Sequence, residues 1–485
     1  MLFLIIWLPI LTALALMASP IRSARMARDA GMACMALTLG AALYVFFHAS
    51  AMNAEYTFES RAPWIPSLGI SYHIGVDHLS AMLILLTSLV GTAAVGVTPL
   101  PKENAKYHYA LGLIMVGGMA GAFASLDLFF LYIFHEFALI PTFVLIGIWG
   151  AERRRAAAMK ITLYLGLGSL ILLLGLLGLV WAVGGRTFDL LEIKRMLALV
   201  PLATTTQVKL FGILFLGFGI LISGFPFHTW APAGYGEAPP LASMLHAGVI
   251  KKFGFYGLMV VAAPLLPDGF EMWKPWVIGM AFVNLLYCGY VAMQQSDLRY
   301  MLAYASVSHM GYAFLAFAAN THLALQGLAL FLFAHGLSAA TGFGIAGFCR
   351  EKTGTSNISE MGGLARKMPF AAAVFTMVAF AGCGMPGFAN FPAELMIFMG
   401  SFQRCPWVTV AAVWTAVISA VYMLRAARNA FLGPLPEKWI STGDVDPVRR
   451  AMFALLLAAL LATGFWPRLV TDGGGAAATY LVQQK

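Results

Sequence analysis

The chain has 485 residues, 60% of them hydrophobic and only 11% charged, far from the roughly 25% charged residues of soluble domains. Its apolar blocks are continuous and long enough to cross a roughly 30 Å hydrocarbon layer as helices of about 20 residues, which excludes a soluble globule and a β-barrel of short alternating segments. The net charge of +9 sits in short connections between apolar blocks, so it reads as a topology signal and no nucleic-acid partner is expected.

The fold class expected is an all-α polytopic membrane protein. Fourteen membrane segments fall near residues 1–18, 29–50, 78–99, 107–125, 127–149, 159–184, 207–225, 240–262, 273–294, 299–319, 322–349, 369–402 (broken), 407–431 and 449–467. Met1–Met17 has no basic leader region and reads as a retained first helix. Alternating sides from an outward N-terminus, one set of loops collects nineteen Lys and Arg, including Arg153, Arg154, Arg155, Lys160, Arg299 and Arg350, against nine in the other. The richer set is expected in the cytoplasm, with both termini outside. Three connections are long: 51–77, 185–206 and 432–448. Residues 189–199 (DLLEIKRMLAL) have helical spacing with charges on one face and suit a helix lying along the membrane surface or an ordinary solvated one. Glycines such as those in GLGSLILLLGLLG (165–177) sit at helix-packing spacings, and no glycine-rich phosphate loop is present. The five cysteines lack ligand spacing, so neither a metal nor a disulfide framework is assigned.

Ionisable residues inside apolar runs are the informative feature, because each is costly there. The fifth segment carries His135 and Glu136, the latter roughly 13 Å below the outer end. Pro141 follows one turn later and frees a backbone carbonyl. The seventh segment stops at Pro226, and a loop rich in Gly and Pro follows. The eighth carries His246, Lys251 and Lys252. Adjacent side chains point about 100° apart on a helix, so the lysines cannot share a partner; one is expected to snorkel and Lys252 to face the interior. His309, His335 and Glu394 follow at depth, and with Glu136 and Lys252 they form the pattern of a proton relay. Glu394 lies in CGMPGFANFPAELMIFMGSF (383–402), where Pro386, Gly387 and Pro392 are expected to interrupt the helix. Two matched interruptions, at Pro226 and at 386–392, indicate an inverted-repeat transporter with its site at the breaks.

The stretches DLRYMLAYASVSHMGYAF, FAHGLSAA, SEMGGLARKMP, GMPGFANFPAELMIFMGSF and FFLYIFHEFALIPTFVLIGIWG closely resemble subunit M (mitochondrial subunit 4) of the proton-pumping NADH:quinone oxidoreductase, respiratory complex I. The likeness runs from about Asp77 to Phe465. It implies an antiporter-like fold with inverted repeats in segments 4–8 and 9–13 and broken segments 7 and 12. The units implied are 1–106, 107–262, 273–431 and 432–485. The family's functional residues fall on Glu136, Lys160, Lys252, His309, His335 and Glu394, with His135, His228, His246 and Lys251 as secondary relay candidates. The resemblance implies no cofactor in this chain, with NADH, FMN, iron–sulfur clusters and quinone handled by partner subunits. The partners implied are other membrane subunits, antiporter-like neighbours among them, in a bacterial inner membrane.

One position departs from the family. A lysine is usual seven residues before the histidine of the PxHxW stretch, and counting back from His228 gives Leu221, with nothing ionisable from Phe211 to Phe227. Lys209 is twelve residues away, roughly 18 Å of helix. The missing cation next to Glu136 is therefore expected from His135 or Lys251, or else the subunit has lost part of its route. The expected function is a membrane-arm proton-translocating subunit without redox centre. The alternatives are a subunit of a cation/proton antiporter complex or membrane-bound hydrogenase of the same fold, or a non-pumping structural subunit.

Overall fold

The computed structural model describes residues 1–51 and 55–472, so the C-terminal tail of the expected last unit lies outside the described residues. The chain forms α1 (Leu2–Ala18), α2 (Ala24–Ala51), a hairpin of β1 (Thr57–Ile65) and β2 (Ile70–Val76), α3 (His78–Val97), α4 (Ala105–Ala124), α5 (Leu128–Trp149), α6 (Arg154–Ala182), α7 (Leu190–Leu199), α8 (Thr204–Ile222) and α9 (Trp230–Glu237). It continues through α10 (Pro240–Leu265), α11 (Pro267–Met293), α12 (Leu298–Ala319), α13 (His322–Thr353), α14 (Pro369–Gly382), α15 (Asn390–Phe402), α16 (Pro406–Phe431) and α17 (Pro447–Phe465). Among the described residues twelve helices are long and apolar enough to cross a membrane. The shorter α1 and the broken pair α14–α15 complete fourteen passes.

Both breaks differ in detail from the sequence reading. The seventh pass ends at Ile222, where Ser223 turns left-handed (φ 68°), and residues 230–237 form the short helix α9 instead of a loop. At the second break the helix stops at Gly382 and resumes at Asn390. Pro392 lies within the first turn of α15 and does not interrupt it, because a first-turn residue has no backbone donor to lose.

The centre of the bundle is α3, enclosed along its apolar length, with α10, α12 and α13 nearly so, whereas α6, α11, α16 and α17 turn more than half of theirs outward. Small residues set the closest crossing. A Cβ at Gly336 of α13 would lie 2.6 Å from Leu86 Cδ2 and 2.7 Å from the Gly248 carbonyl of α10, so only glycine lets these backbones approach. At this crossing α10 is under-wound: His246–Ile250 is a π-helical turn, and the Lys251 N–H bonds His246 O at 3.2 Å instead of Ala247 O.

On the face that joins α2 to α3, α4 to α5 and α6 to α7, the stretch 51–77 is no plain connection. β1 and β2 pair antiparallel from Thr57↔Val76 to Ile65↔Ile70. Gly69 (φ 68°) closes the tip, where a Cβ would sit 2.0 Å from Arg186 O. Asp127 caps α5 through Phe129 and Phe130 N–H and also accepts from Ser71 N–H at 3.0 Å, tying the hairpin to the helix. Asp189 caps α7, and its other oxygen is 2.6 Å from His73 Nδ1, while His73 Nε2 is 2.9 Å from Glu59. Arg61 adds an ion pair to Glu192 at 2.8 Å. The helix expected over 189–199 thus forms as α7, burying Leu190 and Ile193.

Burial works against a charged His73, but its bonds to Asp189 and Glu59 outweigh burial and raise its pKa above the ordinary 6.5. Burial likewise opposes an ionised Asp189; the bonds from His73 and Glu192 N–H outweigh it and hold this carboxyl below its ordinary 3.8. A group with a raised pKa stabilises the fold fully below its unfolded value and loses that contribution as pH rises through the folded one; a depressed acid loses its contribution as pH falls. The clasp is therefore tightest between these limits and loosens as pH climbs past the raised value of His73. Hydrogen exchange at the hairpin amides 57–76 should quicken over that alkaline range beyond its intrinsic pH dependence, and His73→Phe should abolish the excess; an unchanged pH profile in the variant would refute the clasp.

The helix crossing gives a second expectation. Gly336→Ala should destabilise the subunit by about 1–3 kcal/mol through overpacking, read as a lower thermal midpoint, whereas Gly166→Ala, where nothing lies within 4 Å, should not. Equal midpoints for the two variants would contradict the close crossing.

Candidate functional site

Both lysines of α10 are completely buried, which corrects the expectation that one snorkels. The helix is walled by α3, α8, α12 and α13 at that depth, so the 100° step between neighbours sends the two amino groups to two inner partners. Lys252 Nζ lies 2.9 Å from His335 Nδ1 on α13 and donates to Ala247 O at 2.5 Å, the carbonyl that the π turn releases. Lys251 Nζ donates to Ser306 O and Oγ on α12 at 3.3 and 3.2 Å and sits 5.6 Å over the Tyr235 ring. The two adjacent amino groups thus diverge.

From His335 the polar groups continue. Its ring lies 5.8 Å from that of His309, nearly perpendicular to it. His309 Nε2 is 3.2 Å from Ser419 Oγ, which is 3.0 Å from Tyr422 Oη. Ser306, His309, His335 and Ser338 border a small, partly open cavity, otherwise lined by apolar residues, with about 20 Å³ for a water-sized occupant, enough for one water. Glu394 lies further on, buried in α15, which touches α12 through Phe398 and Tyr312 (rings 5.7 Å apart). Gly384 (φ 65°) arches over it: a Cβ there would be 2.6 Å from Glu394 Oε2. Among the described residues no side-chain hydrogen bond joins Glu394 to His309 or Tyr422.

Glu136 stands apart from this line. Its side chain is 21% exposed, on the flank of α5 that faces α6. Ser169 Oγ makes a close hydrogen bond to Glu136 Oε1 and is 3.0 Å from Tyr132 Oη. His135 Nδ1 lies 3.9 Å from Glu136 Oε1, but its ring is stacked on Phe253 (4.1 Å, 14°) and neither ring nitrogen has a hydrogen-bond partner. Lys251, expected as an alternative counter-charge, is turned to α12 instead. Leu221 is buried in α8, and Lys209 is exposed near the start of that helix. Glu136 is therefore held by hydroxyls where a cation was expected.

On the opposite side of the lysines, His246 Nδ1 is 3.1 Å from Tyr235 Oη, and its Nε2 has no partner. His228 stacks on Phe225 between α8 and α9 (5.4 Å) and stays outside the lysine–histidine line. Lys160, half-buried near the start of α6, is not brought to it either. Sequence reasoning missed the hydroxyl residues Ser169, Tyr235, Ser306 and Ser419, which carry no signal inside apolar helices until the facing helix is known. It also read Arg299 as a loop charge. That side chain is buried in the first turn of α12 and bonds the carbonyls of Tyr235 and Ala238, where α9 meets α10.

A lysine, two histidines and a carboxylate buried in a helical bundle with two broken passes mark an antiporter-like fold. The profile described as NADH:quinone oxidoreductase/Mrp antiporter, transmembrane, matches residues 125–419, and the chain belongs to that family. It is 33% identical to NAD(P)H-quinone oxidoreductase chain 4 2 of Thermosynechococcus vestitus over 96% of this chain and 90% of that protein. The chain 4 1 protein of Synechococcus elongatus is 34% identical over 99% and 91%. Among solved structures, a chain of respiratory complex I from Thermus thermophilus with bound NADH superposes with a TM-score of 0.90 at 29% identity, covering 99% of this chain and all of that one. A chain of the Mrp complex from Dietzia sp. shares the fold at TM-score 0.86 and 22% identity, covering 99% and 97%.

Tyr235 offers a direct check on this geometry. Tyr235→Phe leaves His246 with no partner at either nitrogen, and a buried orphaned polar group costs about 1–3 kcal/mol. The thermal midpoint of the assembled subunit should fall accordingly; an unchanged midpoint would remove Tyr235 from the core's hydrogen bonding.

Proposed function

We propose that this chain is a membrane-arm, proton-translocating subunit of an NADH:quinone oxidoreductase-type complex, with no redox centre of its own. The observation that carries the reading is the Lys252–His335 contact at 2.9 Å in the enclosed centre of the bundle. An ammonium there has exchanged water for one carbonyl and one imidazole, a setting in which a proton can pass to its neighbour. Family membership and the names of the relatives agree with it. In this scheme a change in charge at Glu136 biases Lys252 to take up a proton from the arginine-rich, cytoplasmic side by way of His246. The proton then passes through His335 and His309 towards Glu394 and the outside. Segments 4–8 and 9–13 act as two inverted repeats around the lysine. Flavin, iron–sulfur clusters and quinone belong to partner subunits, with further antiporter-like subunits beside this one in a bacterial inner membrane and both termini outward.

One observation favours a second reading. Leu221 stands where a cation is expected, and Glu136 has hydroxyl partners instead, which fits a subunit that transmits charge changes or supports assembly without pumping. The complex reconstituted in vesicles separates the two. Lys252→Ala and Glu394→Ala should each lower the protons moved per electron while assembly and electron transfer persist. Unaltered pumping after Glu136, Lys252 and Glu394 are all neutralised would leave the structural reading standing and discard the relay.

A further inference from the structure

At the arginine-rich end of the bundle, Arg153, Arg154 and Arg155 and the last turns of α13, with Arg350, line one open cavity of about 780 Å³. Among the described residues none of the four guanidinium groups has a carboxylate within 4.0 Å. The acids nearby are engaged elsewhere: Glu237 accepts from Arg153 N–H at 3.0 Å and from Tyr300 Oη at 3.0 Å, and Glu351 pairs with Arg449 at 2.8 Å. Glu152 on the rim is exposed. Four cations thus converge at the ends of three apolar helices, three of them exposed and Arg350 half-buried, and their mutual repulsion favours an anion among them.

A second observation says what kind of anion. One stripe of α6 descends directly from Arg155 through Met159, Leu163, Leu167, Leu170 and Leu174, each 58–65% exposed. Steps of three and four residues keep them on one face. From Arg155 to Leu174 the stripe runs roughly 28 Å, about the depth of the hydrocarbon layer. Trp149, at the end of α5, borders the neighbouring recess on the same face and marks the interfacial level there. A free phosphate would use the arginines alone; the continuous apolar track beneath them fits a ligand that has both charge and chain.

We propose that this cavity is a binding site for an anionic phospholipid. The phosphate lies among Arg154, Arg155 and Arg350, held by forked guanidinium hydrogen bonds, and an acyl chain lies along the exposed stripe of α6. Four unpaired charges suit a two-phosphate headgroup better than a single phosphodiester. The site is independent of whether the subunit pumps.

The test uses the assembled complex, stripped in neutral detergent and then titrated with cardiolipin, phosphatidylglycerol or phosphatidylcholine, with bound lipid counted by native mass spectrometry. Wild type should retain anionic lipid at this subunit with cardiolipin preferred. The variant R154Q/R155Q/R350Q should bind it about a hundredfold more weakly, about fivefold for each charge removed, with no change for phosphatidylcholine. The variant R154K/R155K/R350K, which keeps the charge, should restore most of the binding and shows that the glutamine variant is not simply misassembled. Equal anionic-lipid binding by wild type and the glutamine variant would overturn the proposal. So would displacement of the lipid by excess inorganic phosphate, which would mark a free-anion site, or a stripe filled by a neighbouring subunit with no lipid bound.

Discussion

The contact between Lys252 and His335 is the point on which the rest of the structure depends. A lysine at the centre of a membrane bundle is tolerated only where its amino group finds fixed acceptors, since lipid headgroups are out of reach. Two features of the main chain supply them. Gly248 and Gly336 let α10 and α13 approach until His335 meets the ammonium, and the π turn at 246–250 shifts the backbone ladder by one residue and leaves the Ala247 carbonyl for it. The same turn carries the preceding lysine round to Ser306 on α12. Two adjacent amino groups are thus turned apart by helix geometry.

The surroundings of this pair are unequal. Towards α12 and α16, imidazoles, hydroxyls and a water-sized cavity follow one another closely, from His335 through His309 to Ser419 and Tyr422. Towards α5, the Phe253 ring covers His135, and Glu136 is turned outward to Ser169 and Tyr132. On the proposed route a proton thus meets polar groups on one side of Lys252, while among the described residues no hydrogen-bonded chain joins Glu136 to the lysine. The clasp formed by the β-hairpin, Asp127 and Asp189 holds the N-terminal ends of α5 and α7, so the helix that carries Glu136 is anchored at one end.

Much of this was legible in the sequence. Fourteen passes follow from apolar length, and the depth of Glu136, Lys252, His309, His335 and Glu394 follows from counting residues along each run. What the chain alone withheld were facts about facing partners. Whether Lys251 snorkels depends on what walls α10, and part of that wall comes from helices distant in sequence, α3, α12 and α13. Ser169, Ser306 and Ser419 become informative only when a titratable group on another helix is seen opposite them. Pro392 looked like a helix breaker because proline usually is one, but its effect depends on whether the residue falls inside a first turn. The hairpin at 57–76 was hidden because β1 is almost wholly exposed and lacks the alternation that marks a half-buried strand.

The central claim is that protons leave Lys252 by way of His335 and His309 and reach Glu394. A structure of the assembled complex at a resolution that shows ordered solvent tests it most directly. The account predicts water in the cavity among Ser306, His309 and His335, and further water bridging from the His309–Ser419–Tyr422 group to the Glu394 carboxylate. A dry, close-packed apolar layer between His309 and Glu394 would contradict it.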